Sequence, residues 1–255
     1  MFRQVKARIG AIGVAAACLA PACVPEGPPT VDTSAPPTAK LASPSKAAPV
    51  KTPSLPARPP ITEVFEDTFD RAELGPDYSA LSPAWKLVAD KLCVRGARNK
   101  GLWLLRKLPV NARIEVDAVA EAADGDIKLE AWGDGATGAT TTSYTNATSY
   151  LAILGGWKNT RHVLARLDEH GDDRLELNVD STSDDERQRP VAPGQPYHFE
   201  IERTNAQSVR MRVNEATYFE LWDDEPLQGA GHDHFGFNDW DAPVCFDNLK
   251  ITPLD

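Results

Sequence analysis

The chain has 255 residues, with 27 Lys and Arg against 37 Asp and Glu, and a formal net charge of −10. This balance argues against a nucleic-acid-binding protein, because contacts to phosphate groups need a basic surface. Only one segment is apolar enough to enter a membrane, and it is shorter than a transmembrane helix. Composition divides the chain into three regions.

Residues 1–23 have the features of a secretory signal. Basic residues without any acid lead into a short apolar run of small residues. The run ends in Leu19-Ala20-Pro21-Ala22-Cys23, which resembles a bacterial lipobox, in which a Cys after small residues is lipidated and becomes the new N-terminus. We therefore expect an exported lipoprotein, anchored through Cys23 to a bacterial membrane and facing the periplasm or the cell surface. Cys18 is a second candidate for the lipidated residue, and ordinary signal cleavage is the alternative.

Residues 24–60 are predicted to be a disordered linker. They contain 11 of the chain's 21 prolines and no aromatic residue, so they cannot bury enough apolar surface to fold. A Pro-rich segment is extended at about 3 Å per residue, which would place the following domain up to roughly 100 Å from its anchor. The alternative is a protease-sensitive tail with no spacing role.

Residues 61–255 are predicted to form one all-β domain with a charge of −15. Apolar residues at every second position predict strands with one face on a core and the other in water. Turn signals separate the runs, and no crossover helices are present that a parallel sheet would need. The pattern predicts an antiparallel β-sandwich of about twelve short strands. The alternating runs are 114–118, 127–131, 174–179, 197–202 and 209–213.

The ends of this domain carry recognisable motifs. It opens with Phe65-x-Asp67-x-Phe69, continues with Trp85, and closes with Phe246-Asp247-Asn248-Leu249-x-Ile251. These features resemble the concanavalin A-like lectin/glucanase jelly roll. The resemblance implies that the first and last strands lie side by side, and that the partner is a carbohydrate. A hairpin that often has Asp-Gly at its tip has Asn214-Glu215 here, which leaves its turn type open.

A calcium ion is the one cofactor that the resemblance suggests. Members of this superfamily often tie the first and last strands together with calcium, which points to Asp67 and Asp247. Calcium takes six to eight oxygen ligands, so backbone carbonyls and water would complete the shell. The alternative is that both carboxylates accept hydrogen bonds from backbone N–H groups or from a nearby Arg.

Cys93 and Cys245 are the only cysteines of the predicted domain. An exported chain meets oxidising conditions, so we predict a disulfide between them. The alternative is two separate buried thiols.

Candidate catalytic carboxylates lie on one strand. Glu115, Asp117 and Glu121 share a face of an extended chain. The superfamily's glucanases present Glu-x-Asp-x-x-Glu, and the spacing here is one residue longer. Retaining glycosidases need two carboxyl groups about 5 Å apart, and these residues are the candidates for that chemistry. The same alternation is also typical of an exposed strand face.

A possible metal pair is His232 and His234, with Asp239 or Asp241 nearby in the sequence. The alternative is two surface histidines beside a loop. The sequence contains no Gly-rich phosphate loop, no Gly-x-Ser-x-Gly and no His-Glu-x-x-His motif.

Aromatic and polar residues that suit a sugar are concentrated in three places. Indole rings stack on sugar C–H faces, and polar side chains hydrogen-bond hydroxyls. We expect the residues near Trp157 to project close to Trp132; the alternative is that these tryptophans are core anchors. The predicted ligand residues are Trp132, Asp134, Trp157, Asn159, Arg161, His162 and Trp240.

The function that these features favour is non-catalytic carbohydrate binding by a monomeric, lipid-anchored protein. One alternative is a saccharide hydrolase or lyase of the same superfamily. A second alternative is a structural or adhesive surface protein without a small ligand.

Overall fold

A computed structural model describes residues 58–255. The predicted signal, the lipidation site at Cys23 and the linker as far as residue 57 lie outside the described residues. Within the described part of the chain, no helix is both long and apolar enough to cross a membrane.

The described residues form two antiparallel sheets that enclose a common core, which confirms the predicted β-sandwich. Short helical segments lie at Gly156–Asn159 and Glu186–Gln188. The strands in chain order are β1 (Phe65–Asp67), β2 (Tyr78–Ala80), β3 (Lys86–Val88), β4 (Lys91–Val94), β5 (Leu102–Leu104), β6 (Ala112–Ala120), β7 (Ile127–Gly133), β8 (Tyr150–Gly155), β9 (Arg161–Arg166), β10 (Leu175–Asn178), β11 (Pro196–Arg203), β12 (Ser208–Val213), β13 (Ala216–Trp222), β14 (His234–Asn238) and β15 (Val244–Pro253).

The strand order defines the two sheets. Sheet A runs β13-β12-β11-β6-β15-β4-β3, and β1 also pairs with β15. Sheet B runs β10-β9-β8-β7-β14-β5-β2. The first and last strands are therefore neighbours, with Phe65 opposite Ile251.

The core between the sheets follows from strict alternation. In β6, the side chains of Ile114, Val116 and Ala118 are buried and the residues between them are only partly covered. Aromatic rings fill the centre: the Phe237 ring lies 4.9 Å from both the Phe235 and the Phe246 rings. Such tilted and edge-on contacts stabilise a core beyond the area they bury.

Cys93 and Cys245 face each other across β4 and β15 and form a disulfide, as predicted. The bond closes a loop that spans 152 positions of the sequence. It fixes the long last strand of sheet A to a strand from near the start of the domain.

The hairpin between β12 and β13 turns on Asn214 and Glu215, whose φ angles are 48° and 70°. Two consecutive residues with positive φ define a type I′ turn, whose twist matches that of paired strands. The turn therefore forms without glycine.

The outer face of sheet B is covered, which the alternating pattern of β7 did not predict. Every residue of β7 is buried, including Lys128 and Glu130 on the face away from the core. Residues 134–149 cross this face, and Tyr144 packs there against Leu151 and its neighbours in a second apolar cluster. The expectation that the polar face of this strand meets water is wrong, because the connection between β7 and β8 folds back over it.

Candidate functional site

A cleft of about 460 Å³ opens on the outer side of sheet B. Its floor is made of buried polar side chains, among them Asp126, Lys128 and Glu169. Trp157 and Trp240, both partly exposed, also line it. A concave site with apolar rings and a few polar groups is the usual form of a small-molecule or saccharide site.

Lys128 is the centre of the floor. Its Nζ lies 2.6 Å from Oε1 of Glu169 and donates to Oδ1 of Asn99 at 2.8 Å. A second carboxylate, that of Asp126, is 4.0 Å away. Burial alone would lower the pKa of Lys128, but the attraction of Asp126 and Glu169 outweighs it and raises the pKa to about 12. The ammonium therefore stays charged and holds the carboxylates in place.

Asp126 links the floor to Trp240. The backbone N–H of Trp240 donates to Oδ2 of Asp126 at 3.0 Å. Burial raises the pKa of Asp126, and the nearby Lys128 opposes that effect. On the rim, the guanidinium of Arg98 lies 4.7 Å from the Trp240 ring centre and pairs with Asp241 at 3.0 Å.

Trp157 sits on a strained turn. Trp157, Lys158 and Asn159 have φ angles of 51°, 58° and 61°, so the short helical segment is left-handed at these residues. Each such non-glycine residue costs of order 1–3 kcal/mol and persists only where its surroundings impose it. The amide of Asn159 supplies that support, because it donates to the carbonyls of Ala123 and Val191 and accepts from the Val191 N–H.

Basic side chains contact the Trp157 ring. The guanidinium groups of Arg161 and Arg174 lie 5.4 and 4.9 Å from its centre, and both pair with Glu176. Because one carboxylate holds both groups, they lie together beside the indole. The His170 ring packs edge-on at 5.5 Å.

Another buried carboxyl, that of Glu130, lies outside the cleft lining. It accepts hydrogen bonds from Ser149 at 2.6 Å, Tyr144 at 3.2 Å and Asn238 at 2.5 Å. Burial outweighs these bonds and raises the pKa of Glu130 to about 7. The same cause raises the pKa of Asp239 to about 7.

The structure places Trp157 and Trp240 together in the cleft and puts most other predicted ligand residues in supporting positions. Arg161 and Asn159 hold Trp157 as described above. His162 is fully buried, and its Nδ1 accepts from the N–H of Gly155. Burial lowers the pKa of His162 to about 4, so the ring is neutral.

Trp132 and Asp134 are not brought to the cleft. Trp132 is 1% exposed and packs in the main core against Tyr150 and the guanidinium of Arg203, whose carbon lies 3.9 Å from the ring centre. Asp134 accepts from the N–H groups of Ala136 and Thr137 and so stabilises a turn. The expected proximity of Trp157 to Trp132 is wrong, because the two rings belong to different packed clusters.

The candidate catalytic carboxylates lie on the outer face of sheet A rather than in the cleft. Oδ1 of Asp117 is 2.7 Å from Nδ1 of His198, and Oε1 of Glu115 is 3.8 Å from Nε2 of the same ring. Asn248 donates to the other oxygen of Asp117. Glu121 follows the end of β6 and is exposed. Catalysis by these residues stays a prediction, and their surroundings are those of an open sheet face.

Asp67 and Asp247, the predicted calcium ligands, both contact protein donors. Asp67 binds the guanidinium of Arg71 through both oxygens, at 2.5 and 2.9 Å, and accepts from the hydroxyl of Tyr78 at 2.7 Å. Burial alone would raise the pKa of Asp67, but these hydrogen bonds outweigh burial and lower it. Asp247 pairs with Lys91 at 2.5 Å. Calcium at this seam stays a prediction.

The two histidines of the possible metal pair have separate contacts. His232 places Nδ1 2.7 Å from the carbonyl oxygen of Thr148, and His234 is buried beside Asp233. Among residues 58–255, no group of three or more His, Cys, Asp or Glu side chains is arranged to hold a metal ion.

Asp126, Lys128 and Asn99 were not predicted as site residues. Lys128 occupies a polar position in an alternating strand, which is also the pattern of a solvated face. Glu169 lies in the loop that follows β9, between Asp168 and His170, where its charge is equally typical of an exposed loop.

Known proteins are similar to this chain in fold and not in sequence. No family model matches the sequence, and no curated protein sequence matches it. The structure is similar to a prokaryotic β-1,3-1,4-glucanase (lichenase) derived from a mouse hindgut metagenome, with 9% identity and a TM-score of 0.51 over 75% of this chain and 99% of the glucanase.

Two further solved structures illustrate the range of similar folds. An alginate lyase matches with 9% identity and a TM-score of 0.46, over 75% of this chain and 97% of the lyase. Sheep galectin-11 matches with 12% identity and a TM-score of 0.39, over 57% of this chain and 92% of the galectin. The likeness to the glucanase shows that this domain has the same jelly-roll fold, as the resemblance of its motifs implied.

Proposed function

We propose that the domain binds a carbohydrate chain in the cleft between Trp157 and Trp240 and does not cleave it. The observation that carries the proposal is that two partly exposed indoles line one cleft over a polar floor. An indole offers a flat apolar face to sugar C–H groups, and buried polar groups fix the orientation of hydroxyls.

The contacts of the floor favour binding over catalysis. Glu169 is held by Lys128 and Asn99, and Asp126 accepts from the Trp240 N–H. A retaining glycosidase needs one carboxylate free to attack and a second one that donates a proton. Carboxylates committed to buried donors are suited to orienting a ligand and poorly suited to those two tasks.

A glycan array with the full-length protein tests this proposal. We expect binding to one class of oligosaccharide, and no shortening of that oligosaccharide after prolonged incubation. Absence of binding to every glycan would contradict the proposal and favour a structural or adhesive role. Release of shorter products would favour an enzyme.

Cleavage of a saccharide is the second candidate, and the observation that favours it is Glu130. Its pKa of about 7 is in the range that suits a general acid. Ser149 and Tyr144, from the segment that covers sheet B, hydrogen-bond this carboxyl. Catalysis by Glu130 would therefore require that segment to move. The similar solved structures include enzymes and a galectin, and they favour neither candidate.

We also propose that the protein is exported, lipid-anchored at Cys23 and monomeric. The basic and apolar residues 1–23 and the lipobox-like sequence support export and anchoring. The Pro-rich residues 24–60 would then hold the binding domain away from the membrane.

A further inference from the structure

The charges around the cleft point to a particular class of sugar. Resting on the proposed function, we propose that the preferred ligand is a saccharide with protonated amino groups, and that chains of carboxylated sugars are rejected. The charged groups of the lining, one carboxylate oxygen on its floor and the two indoles support this preference.

The first observation is the excess of acid in the lining. Four carboxylate side chains and two lysines line the cleft, and one of those lysines, Lys128, is paired with Glu169. Asp241 pairs with Arg98, and Lys128 lies between Glu169 and Asp126, so the four acids of the lining outnumber its two lysines. The domain as a whole carries −15, so its field also repels polyanions.

The basic groups beside Trp157 add a net positive charge, but that charge lies outside the lining of the cleft. Arg161 and Arg174 both bind Glu176, so two guanidinium groups share one carboxylate. Neither Arg belongs to the lining of the cleft. A carboxylated sugar inside the cleft would therefore meet the acids of the lining before it met these cations.

The second observation is a carboxylate oxygen that accepts no hydrogen bond. Oδ2 of Asp126 accepts from the Trp240 N–H, and among the described residues no donor hydrogen-bonds to Oδ1, which lies 4.0 Å from Nζ of Lys128. Asp126 is 8% exposed and lines the cleft. A carboxylate oxygen of this kind is best satisfied by a charged donor, because hydrogen bonds between ions are the stronger ones.

The third observation concerns the indoles. Both rings already attract cations, since Arg98 lies 4.7 Å from the centre of Trp240 and Arg174 lies 4.9 Å from the centre of Trp157. An ammonium group of a ligand that reaches the part of either ring exposed in the cleft gains cation–π attraction that a carboxylate does not. The rings and the acids therefore favour the same ligand charge.

Three oligosaccharides of equal length separate the possibilities: β-1,4-linked glucosamine, its N-acetylated form, and galacturonic acid. Affinities of the full-length protein are measured by calorimetry at about pH 6, where amino-sugar nitrogens are largely protonated. We expect the glucosamine chain to bind at least about fivefold more tightly than the neutral chain, and the uronate chain to bind most weakly. Higher salt should reduce the preference.

Two exposed residues of the lining serve as matched variants. Asp124→Asn should lower the preference for glucosamine over the neutral chain about two- to threefold, and Lys158→Gln should raise it by a similar factor. Equal affinity for the amino and neutral chains would overturn this inference and leave the proposed function standing, as would tighter binding of the uronate chain. If none of the three chains binds and a wider glycan array is also blank, both proposals fall.

Discussion

Nζ of Lys128 lies 2.6 Å from Oε1 of Glu169, and both side chains are almost completely buried beneath the cleft. The pair joins β7 to the loop after β9, so it fixes that loop against sheet B. A buried ion pair is weak evidence for stability by itself, because both ions lose their hydration. Here the pair fixes the positions of the polar side chains on the floor of the cleft, where a ligand would bind.

Removing one member of this pair should make the folded protein much less stable. Lys128→Met leaves Glu169 buried without its cation, and we expect a loss of about 3–5 kcal/mol in the free energy of unfolding. Urea denaturation followed by far-ultraviolet circular dichroism measures the change.

A double variant is the control for that experiment. In Lys128→Met with Glu169→Met, Asp126 is the one buried carboxylate that loses its cation, so the loss should be smaller than in the single variant, which leaves two. A single variant within about 1 kcal/mol of the wild type would contradict the assignment of Lys128 and Glu169 as a coupled pair.

Glu130 should make stability depend on pH. Burial raises its pKa from 4.5 to about 7, so the folded state binds this proton more tightly than the unfolded state. The resulting stability is fully present below about pH 4.5 and is lost as the pH rises through about 7. We expect the free energy of unfolding of the wild type to fall by about 3 kcal/mol over that interval, relative to that of Glu130→Gln. Parallel stability curves for the two proteins, from urea titrations at several pH values, would show that Glu130 does not titrate in this way.

The disulfide should contribute strongly to stability. The bond between Cys93 and Cys245 closes a loop of 152 positions, so the chain-entropy model gives about 5 kcal/mol as an upper figure. We expect a large drop in melting temperature for the double Cys→Ala variant. The wild type after reduction should behave like that variant, and an unchanged midpoint in both would refute a stabilising role.

Lipid attachment is tested at Cys23. Cys23→Ser should move the protein from the membrane fraction to the soluble fraction, and it should stop incorporation of labelled lipid. Cys18→Ser is the matched control and should change neither. Release by Cys18→Ser instead would reassign the modified residue.

Most of the fold was predictable, because alternation of apolar residues has a direct structural cause. The runs in β6, β11 and β12 each place one face on the core. The disulfide was predictable from the export signal and the number of cysteines. Both predictions depend on local pattern or chemistry alone.

The floor of the cleft was not predictable, because it depends on which loop covers which face. In β7, Lys128 and Glu130 have the same alternation as the partly exposed polar residues of β6. Residues from other loops contact them on this face: Tyr144 and Ser149 bond Glu130, and Asn99 and Glu169 bond Lys128. For the same reason Trp132 and Trp157 looked alike in the sequence, although one is a core residue and the other lines the cleft.

The most direct test of the account compares sugar binding by single tryptophan variants, using a ligand found on the glycan array. Trp157→Ala and Trp240→Ala should each weaken binding at least about tenfold, because each removes an aromatic contact from the cleft. Trp222→Ala is the control, since Trp222 is 59% exposed on β13 and does not line this cleft. Circular dichroism should show all three variants folded. Wild-type affinity in both cleft variants, or equal loss in Trp222→Ala, would contradict binding between Trp157 and Trp240.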